Sequence, residues 1–396
     1  MNPQNKNNIP QGYKTTPLGI IPQEWEVEPL HYLGQIYSGG TPDTEVEEYW
    51  NGDIAWCTPS DITKLTTKYI ECTDVKITGR GLKESSATLL PPQSIVVCTR
   101  ATIGNAAICT TDIATNQGFK NIIPNKETNS EWLYYIIIYS KPRLVRLGCG
   151  STFLEVSKKD FSRFKILVPP LAEQKKIAEV LGTWDKAIEK QTQLIKKLEL
   201  RKKGLMQHLL TGKKRLPGFS DPWKEVKLGE ICNITTGKLD ANAMEDNGIY
   251  PFFTCAKDVY KINKYAFDTE ALLISGNGEY VGYVHYCKGK FNAYQRTYVL
   301  DKFRDNIFYL KYTLQYYLPK RILQTKSNSN TPYIVIGTLQ DMSILGPSAM
   351  EQTAIAQVLT AADREIELAQ QKLELLRQQK RGLMQQLLTG KKRVKI

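Results

Sequence analysis

The chain has 396 residues, 41% of them hydrophobic, and a formal net charge of +13. This length leaves room for two or three domains that each bury a core, and the apolar content excludes a disordered protein. No apolar run reaches the roughly 18–20 residues of a membrane span, and the polar N-terminus has no apolar signal core, so we expect a cytoplasmic protein. The excess of basic residues is typical of proteins with a polyanionic partner.

Cysteine and histidine usage narrows the possible chemistry. The eight cysteines stand singly, with no Cys-x-x-Cys pair, and are predicted to be reduced and mostly buried. Only three histidines occur, His31, His208 and His285. So few histidines argue against a histidine-based zinc site or acid–base site.

The chain is predicted to consist of two mixed α/β domains that alternate with two helical spacers. In chain order the predicted parts are domain 1 (1–168), spacer 1 (169–215), domain 2 (216–345) and spacer 2 (346–396). Apolar residues at every third position from Leu30 to Gly39 recur from Leu228 to Gly237, each time after a tryptophan. The two domains are therefore predicted to share one fold.

Strands and one helix are predicted in each domain. Short β-branched and aromatic runs bounded by turn residues indicate strands at 94–100, 105–111, 271–277 and 280–286. Aromatic-rich helices are predicted over 131–147, with a break near Pro142, and over about 306–318. A polar loop follows each helix, and a last apolar strand then leads into the spacer.

The two spacers repeat each other. Residues 173–215 match residues 351–393 at a constant offset of 178, without a gap and with more than half of the positions identical. A chain duplicated in this way can fold with internal two-fold symmetry, and duplex DNA is a target with matching symmetry.

The spacers also hold most of the excess positive charge. Residues 173–215 carry 12 Lys/Arg against 5 Asp/Glu, and residues 351–396 carry 9 against 5, which together give 11 of the 13 excess charges. Both repeats end in Gly-Lys-Lys-Arg. A solvated helix face is one interpretation, and contact with nucleic acid or with an acidic partner surface is the other.

Apolar residues in each spacer step by four and three over about five heptads, which predicts a coiled coil. The seams run from Ile177 to Leu209 and from Ile355 to Leu387. Each seam is the simplest partner for the other; two ordinary core helices are the alternative. A helix of about 39 residues spans roughly 58 Å, which is longer than one turn of DNA.

Six further positions in the spacers carry predictions. Lys202 and Lys380 interrupt the two seams at equivalent places, which favours a role in fixing register or oligomer choice. Glycines recur inside the last turns, at 204 and 382, and predict a close backbone contact, because an interior helical glycine costs about 1 kcal/mol. Gly212 and Gly390 are predicted to cap the helices at their C-termini.

Catalytic motifs are absent from the sequence. There is no Walker A motif, no Asn/Asp-Pro-Pro-aromatic motif of an amino-methyltransferase and no acidic cluster typical of a nuclease metal site. The glycine-rich segment 276–282 follows a strand, as a nucleotide-binding loop would. Another strand follows it, however, rather than a helix. A turn with close backbone approach is therefore a better interpretation than a nucleotide site.

An ordered, duplicated set of motifs resembles the specificity subunits of type I restriction–modification enzymes over nearly the whole chain. The motifs are LGIIPQEWEVEPL (18–30) and LPGFSDPWKEVKLGEI (216–231), RATIGNAAI with TNQGF, GEYVGYV with AYQR, and ILVPPLAEQKKIAEVL with LGPSAMEQTAIAQVL. The second half departs by having Gly346-Pro347-Ser348 where the first has Val168-Pro169-Pro170.

The resemblance implies two pseudo-symmetric target-recognition domains separated by two long helices that form an antiparallel coiled coil. Each domain would read one half of a split sequence in double-stranded DNA. The chain would be non-catalytic and hold no cofactor. It would recruit two methyltransferase subunits, which carry S-adenosylmethionine, and restriction subunits that translocate with ATP and Mg²⁺.

Candidate DNA contacts follow from side-chain chemistry, because Arg, Lys, Asn and Gln read base edges whereas Lys, Arg, Ser and Thr anchor phosphates. In domain 1 the candidates are Arg100, Asn116, Gln117, Lys120, Ser151 and Thr152. In domain 2 they are Asn277, Gln295, Arg296, Lys326, Asn328 and Asn330. For each of them a turn-forming or core-satisfying role is the alternative, above all for Gln117 and Gln295, which occupy equivalent positions.

Three other functions stay open on the sequence alone. A free-standing DNA-binding protein would not co-purify with a methyltransferase. A coiled-coil scaffold would not bind DNA. A methyltransferase with an unrecognised motif would transfer methyl groups by itself.

Overall fold

In the computed structural model the chain divides into two units. The residues that the structure describes are 9–148, 154–324 and 332–396. The first unit takes residues 1–193 and 371–396, and the second takes residues 194–370. Each unit contains one mixed α/β region and one part of each of two long helices. The division between the units therefore falls within the long helices rather than at their ends.

The strands of the first unit form a central sheet flanked by smaller ones. They are Tyr13–Thr16 (β1), Gly19–Pro22 (β2), Glu26–Pro29 (β3), Gly34–Ser38 (β4), Trp50–Cys57 (β5), Tyr69–Ile70 (β6), Lys76–Ile77 (β7), Ile95–Cys98 (β8), Ala106–Cys109 (β9), Ile113–Thr115 (β10), Phe119–Pro124 (β11) and Lys165–Val168 (β12). The central sheet has the order β4-β11-β8-β9-β6, and a three-stranded sheet has the order β10-β5-β7. β1 pairs with β2, and β3 with β12. In the central sheet, Ile122 of β11 lies opposite Ile36 on one side and Ile95 on the other.

The strands of the second unit form one six-stranded sheet and one separate pair. They are Lys224–Lys227 (β13), Asn233–Thr236 (β14), Tyr250–Phe253 (β15), Tyr260–Ile262 (β16), Phe267–Ser275 (β17), Val284–Ala293 (β18), Thr297–Asp301 (β19) and Ser343–Gly346 (β20). The sheet order is β14-β19-β17-β18-β15-β16, and β13 pairs with β20. Both the first unit and the second thus combine a mainly antiparallel sheet with helices, which confirms the predicted mixed α/β class.

Short helices and two long ones complete the units. The helices are Pro59–Lys64 (α1), Gly79–Lys83 (α2), Ser130–Tyr139 (α3), Lys141–Val145 (α4), Lys158–Arg163 (α5), Leu171–Leu210 (α6), Leu228–Ile231 (α7), Ile307–Gln324 (α8), Ile336–Gln340 (α9) and Ala349–Leu387 (α10). The Asn129 side chain caps α3 by accepting a hydrogen bond from the Trp132 amide at 2.9 Å. The predicted break near Pro142 is confirmed, because α3 ends at Tyr139 and Pro142 lies in the first turn of α4.

The second aromatic-rich helix, α8, is longer than predicted. We expected it to end near residue 318, but it continues through Pro319 to Gln324. Proline removes one hydrogen bond from the helix. The last turn is nevertheless held, because Ile322 is buried in the core and Arg321 donates a hydrogen bond to the Thr338 carbonyl at 2.8 Å.

The two long helices pair in antiparallel orientation within each unit. In the first unit Asp185 of α6 forms an ion pair with Lys380 of α10, and in the second unit Lys202 of α6 forms one with Asp363 of α10. Later residues of one helix thus meet earlier residues of the other, and the predicted antiparallel coiled coil is confirmed. The buried seam residues are Ile177, Leu181, Gln191, Ile195, Leu198, Leu209, Ile355, Leu359, Ala362, Ala369, Leu373 and Leu387.

A buried glutamate links the start of α6 to the segment that follows α10 in the first unit. The Glu173 carboxylate, which is 0% exposed, accepts hydrogen bonds from the Trp25 indole at 2.9 Å and from Arg393 Nε at 2.7 Å. Arg393 also contacts Glu24. The start of α6, the end of the α10 repeat and the segment before β3 are therefore joined at one charged group.

The second unit repeats this arrangement. Glu351 accepts two hydrogen bonds from Arg215, at 2.6 and 2.7 Å, and one from the Trp223 indole at 3.1 Å. The arginine of each Gly-Lys-Lys-Arg motif is thus bound within the chain. Each of these arginines neutralises a buried carboxylate, and the interpretation of the motif as a contact with nucleic acid or an acidic partner stays a prediction.

The predictions for the helical glycines divide. Gly212 and Gly390 have φ angles of +69° and +71°, so their predicted role as C-terminal caps is confirmed. Gly204 and Gly382 are different, because a Cβ atom built on either would meet no atom of the described residues within 4 Å. The close backbone contact that we predicted at these two positions is therefore not made among the residues that the structure describes.

Stability is expected to depend on the buried seam. Leu181 is 0% exposed, so Leu181→Ala is expected to lower the free energy of unfolding by about 2–5 kcal/mol through lost burial and the cavity that remains. Leu200, on the same helix, is 70% exposed, and Leu200→Ala should change it by less than about 0.5 kcal/mol. Urea denaturation of both variants measures the difference, and equal effects would contradict the seam.

Candidate nucleic-acid interface

Two loops of the first unit meet at one edge of the central sheet. β8 and β11 are antiparallel neighbours, so the turn after β8, which begins at Arg100, lies beside the loop before β11. The Thr99 amide donates a hydrogen bond to the Gly118 carbonyl at 2.8 Å. A Cβ atom on Gly118 would lie 3.8 Å from the Cβ of Arg100. The structure therefore brings the candidates Arg100, Asn116 and Gln117 together.

A third loop, after β4, packs against this pair. Gly39 is required there, because a Cβ atom would lie 1.8 Å from the Asn116 carbonyl oxygen. Two residues later the Thr41 hydroxyl donates a hydrogen bond to the side-chain carbonyl of Gln117. Gln117 is exposed, but one end of its amide is already bound to the neighbouring loop.

Arg100 and Lys120 share one carboxylate. Glu155 forms an ion pair with Arg100 at 2.6 Å and another with Lys120 at 3.4 Å. Burial alone would raise the pKa of Glu155, but the hydrogen bond and charge of Arg100, with the charge of Lys120, lower it. Glu155 is therefore ionised at neutral pH, and it holds both cations within the chain.

Lys120 differs from the other candidates in its burial. It lies in β11 with 5% of its surface exposed, and burial lowers the pKa of its ammonium group. Arg100 is exposed at the edge of the sheet. Of these two cations, Arg100 is the one that solvent, and hence a phosphate or base, reaches.

Asn116 has a turn-forming role. Its side-chain carbonyl accepts a hydrogen bond from the Gly118 amide at 2.9 Å, and its own amide donates to the Cys57 carbonyl at 3.0 Å. The remaining candidates of the first domain, Ser151 and Thr152, lie outside the described residues.

The second unit has the same loop arrangement. The loop after β14 packs against the loop between β18 and β19, where a Cβ atom on Gly237 would lie 1.9 Å from the Ala293 carbonyl oxygen. Gln295 then donates a hydrogen bond to the Asp240 carboxylate at 2.9 Å. Gln117 and Gln295 thus both tie their loop to the loop after the first strand of the sheet.

Arg296 and Asn277 lie beside each other at this edge. The Gly276 amide donates to the Arg296 carbonyl at 2.9 Å, and Asn277 forms an isolated backbone bridge with Tyr333. The Arg296 side chain is exposed and makes no hydrogen bond or ion pair with the described part of the chain. The candidates Lys326, Asn328 and Asn330 lie outside the described residues.

Sequence reasoning missed the partners of these candidates. Thr41, Glu155 and Asp240 hold Gln117, Arg100 and Gln295, respectively. For Thr41 and Asp240 the repeated pattern ending at Gly39 and Gly237 was an available signal, because both residues follow it closely. No sequence pattern pointed to Glu155, because it is a single carboxylate.

Neither a metal site nor a membrane-spanning helix is found in the described part of the chain. Across residues 9–148, 154–324 and 332–396, no group of three or more His, Cys, Asp or Glu side chains is placed to hold a metal ion. Among the same residues, no helix is both long enough and apolar enough to cross a membrane.

Comparison with known proteins identifies relatives over most of the chain. A family model described as "Type I restriction modification DNA specificity domain" matches residues 22–200 and 220–378. The type I restriction enzyme MjaIX specificity subunit of Methanocaldococcus jannaschii is 30% identical over 373 residues, which cover 85% of this chain and 86% of the relative. The EcoDI specificity subunit of Escherichia coli is 42% identical over 167 residues, covering 42% and 37%.

Solved structures share the fold. The S subunit of a type I restriction–modification system from M. genitalium has a TM-score of 0.60 at 16% identity, covering 92% of this chain and 96% of that chain. A chain from a study of complex assembly and conformational transition of the type I system has a TM-score of 0.63 at 18% identity, covering 93% and 99%. At such low identity these two similarities concern the architecture alone.

Arg296 provides a test of this interface. Arg296→Ala is expected to weaken binding to a specific DNA duplex by about 1–3 kcal/mol and to relax the preference at one base position, because a free guanidinium is suited to bidentate contact with guanine. Arg304 lies just beyond the opposite end of β19 and is also exposed, so Arg304→Ala is the matched control. Fluorescence anisotropy at fixed salt measures both, and an equal loss in the two variants would contradict the assignment.

Proposed function

Because the chain belongs to the family of type I restriction–modification specificity proteins, we propose that it reads a bipartite sequence in double-stranded DNA on behalf of a multisubunit enzyme. The chain is the non-catalytic specificity component of such a system. Its role is to choose the sequence, while other subunits carry out methylation and cleavage.

The observation that best supports this proposal is that the same loop arrangement occurs at one edge of the main sheet in each unit. Each unit presents a glutamine-anchored loop with an exposed arginine near it, Arg100 in one and Arg296 in the other. The surrounding residues differ between the units, since Gln117 is held by a threonine and Gln295 by an aspartate. Similar scaffolds with different polar surfaces are suited to two different half-site sequences.

The partners in this proposal are two methyltransferase subunits and the restriction subunits. In this proposal S-adenosylmethionine, ATP and Mg²⁺ are bound by those partners. The repeated, open backbone at Gly204 and Gly382 supports two equivalent docking positions, because an interior glycine weakens a helix and here packs against none of the described residues. The proposed location of the complex is the cytoplasm.

Exchange of one domain tests the division of recognition. Replacing residues 1–168 with the equivalent domain of a relative is expected to change one half-site and leave the other intact, because the two α/β regions belong to separate hydrophobic clusters. Methylome sequencing of cells that carry the hybrid identifies both half-sites. A simultaneous change in both halves would show that the two domains read DNA jointly.

Assembly tests the location of the catalyst. The purified chain is expected to bind DNA without methylating it and without binding S-adenosylmethionine, and to form a complex with two methyltransferase subunits. Mass photometry gives the stoichiometry, and calorimetry with S-adenosylmethionine checks the chain alone. A chain that binds DNA but no methyltransferase would instead be a free-standing DNA-binding protein, and one that binds no DNA would be a scaffold.

A further inference from the structure

A polar cluster joins three elements within the first unit. Tyr135 of α3 donates a hydrogen bond from its hydroxyl to Asp185 of α6, and Asp185 forms an ion pair with Lys380 of α10. The Lys380 ammonium lies 5.1 Å from the centre of the Tyr135 ring. Tyr135 is fully buried, so the contact connects the α/β region to both long helices through its core.

The second unit contains the same cluster at equivalent positions. Tyr312 of α8 donates a hydrogen bond to Asp363 of α10 at 2.7 Å, and Asp363 forms an ion pair with Lys202 of α6 at 2.5 Å. The Lys202 ammonium lies 5.3 Å from the centre of the Tyr312 ring. Tyr312 is also buried. The roles of the two long helices are exchanged, as an internal two-fold repeat requires.

A second lysine contacts each tyrosine. Lys68 donates a hydrogen bond to the Tyr135 hydroxyl at 2.9 Å, and Lys311 lies 5.5 Å from the centre of the Tyr312 ring. Burial raises the pKa of both tyrosines, and the hydrogen bond to the aspartate raises it further. Both phenols therefore remain protonated and donate to a carboxylate at every physiological pH.

Stability alone does not explain these clusters. Lys202 and Lys380 occupy seam positions where leucine would pack well, and replacing partly buried ion pairs with apolar residues is often neutral or stabilising. Polar residues at seam positions are known to select one register among several at a cost in stability. Here the seam lysine is bound by an aspartate that is itself bound by the α/β region. The cluster therefore selects the position in which that region packs on the helices.

We propose that the two Tyr–Asp–Lys clusters are positioning residues for DNA recognition, each fixing its α/β region to the helices of its own unit. In this way they restrict the bipartite DNA site to a single gap length between the half-sites. The inference rests on the proposed function, because gap length has meaning only for a chain that reads two half-sites.

The test uses the assembled methyltransferase and three sets of duplexes. After methylome sequencing has identified the site, the duplexes carry it with the native gap, one base pair shorter and one base pair longer. The double variant Tyr135→Phe/Tyr312→Phe keeps both rings and removes only the hydrogen bonds to the aspartates. It is expected to lower the preference for the native gap about tenfold, the size of effect that loss of a hydrogen bond to a charged group produces.

A matched control and a second variant complete the test. Tyr286 donates a hydrogen bond to Glu270 at 2.6 Å between neighbouring strands of the second unit, so Tyr286→Phe removes the same kind of bond away from the long helices and should leave the gap preference unchanged. Lys202→Leu/Asp363→Asn alters one cluster and leaves the other to hold the fold. It is expected to relax the gap preference without lowering the melting temperature.

The outcomes separate this inference from the proposed function. If the wild-type complex methylates no bipartite site at any gap, the proposed function is wrong. If the wild type prefers one gap and both cluster variants, folded and active, keep that preference undiminished, the positioning role is overturned. Relaxed preference in the cluster variants with an unchanged Tyr286→Phe control supports it.

Discussion

The antiparallel pairing of α6 and α10 is the interaction on which the rest of the structure depends. Both α/β regions complete their hydrophobic cores with residues of these helices. In the first unit Ile177 and Leu181 of α6 join Met384 and Leu387 of α10 in the same buried cluster as α3 and the central sheet. The second unit does the same with the opposite ends of the two helices. The main core of each region is therefore shared with the helices, whereas smaller buried clusters contain no residue of α6 or α10.

Polar groups make this packing specific at three levels. At the helix ends, Glu173 and Glu351 bind the arginines of the two Gly-Lys-Lys-Arg motifs. Nearer the middle of the helices, the two seam lysines bind aspartates. Between them, Gln174 accepts a hydrogen bond from the Asn129 amide at 2.9 Å, next to the start of α3. Apolar contacts alone would permit the helices to slide by a heptad, whereas these buried polar groups are satisfied in one alignment.

Sequence periodicity was sufficient to predict the long helices, their pairing and the mixed α/β class, because these depend on repeating patterns of burial. Single positions were harder to predict. The course of α8 through Pro319 depends on tertiary contacts of its last turn, which local propensity does not contain. The glycines at 204 and 382 were correctly noticed as unusual, but a sequence does not distinguish contact inside the chain from an open surface.

The sequence predicted which loops form the candidate site better than it predicted the contacts of individual side chains. The repeated motifs located the loops that contain Arg100, Gln117, Gln295 and Arg296, and the structure places them at equivalent sheet edges. The burial of Lys120 depends on its place in a central strand, and its pairing with Glu155 depends on a loop 35 residues away. Such long-range partners arise from the tertiary fold, so residue type and spacing do not specify them.

The discontinuity of the first unit has a consequence for synthesis of the protein. The second unit is formed by one continuous stretch, residues 194–370, whereas the first also needs residues 371–396. The ribosome makes those residues only after the whole second unit. Until then the apolar seam of α6 in the first unit, including Ile177 and Leu181, has no partner helix, and Glu173 has no Arg393. The part of the protein that is made first is thus the last to be completed, and it depends on the nascent chain remaining soluble in the meantime.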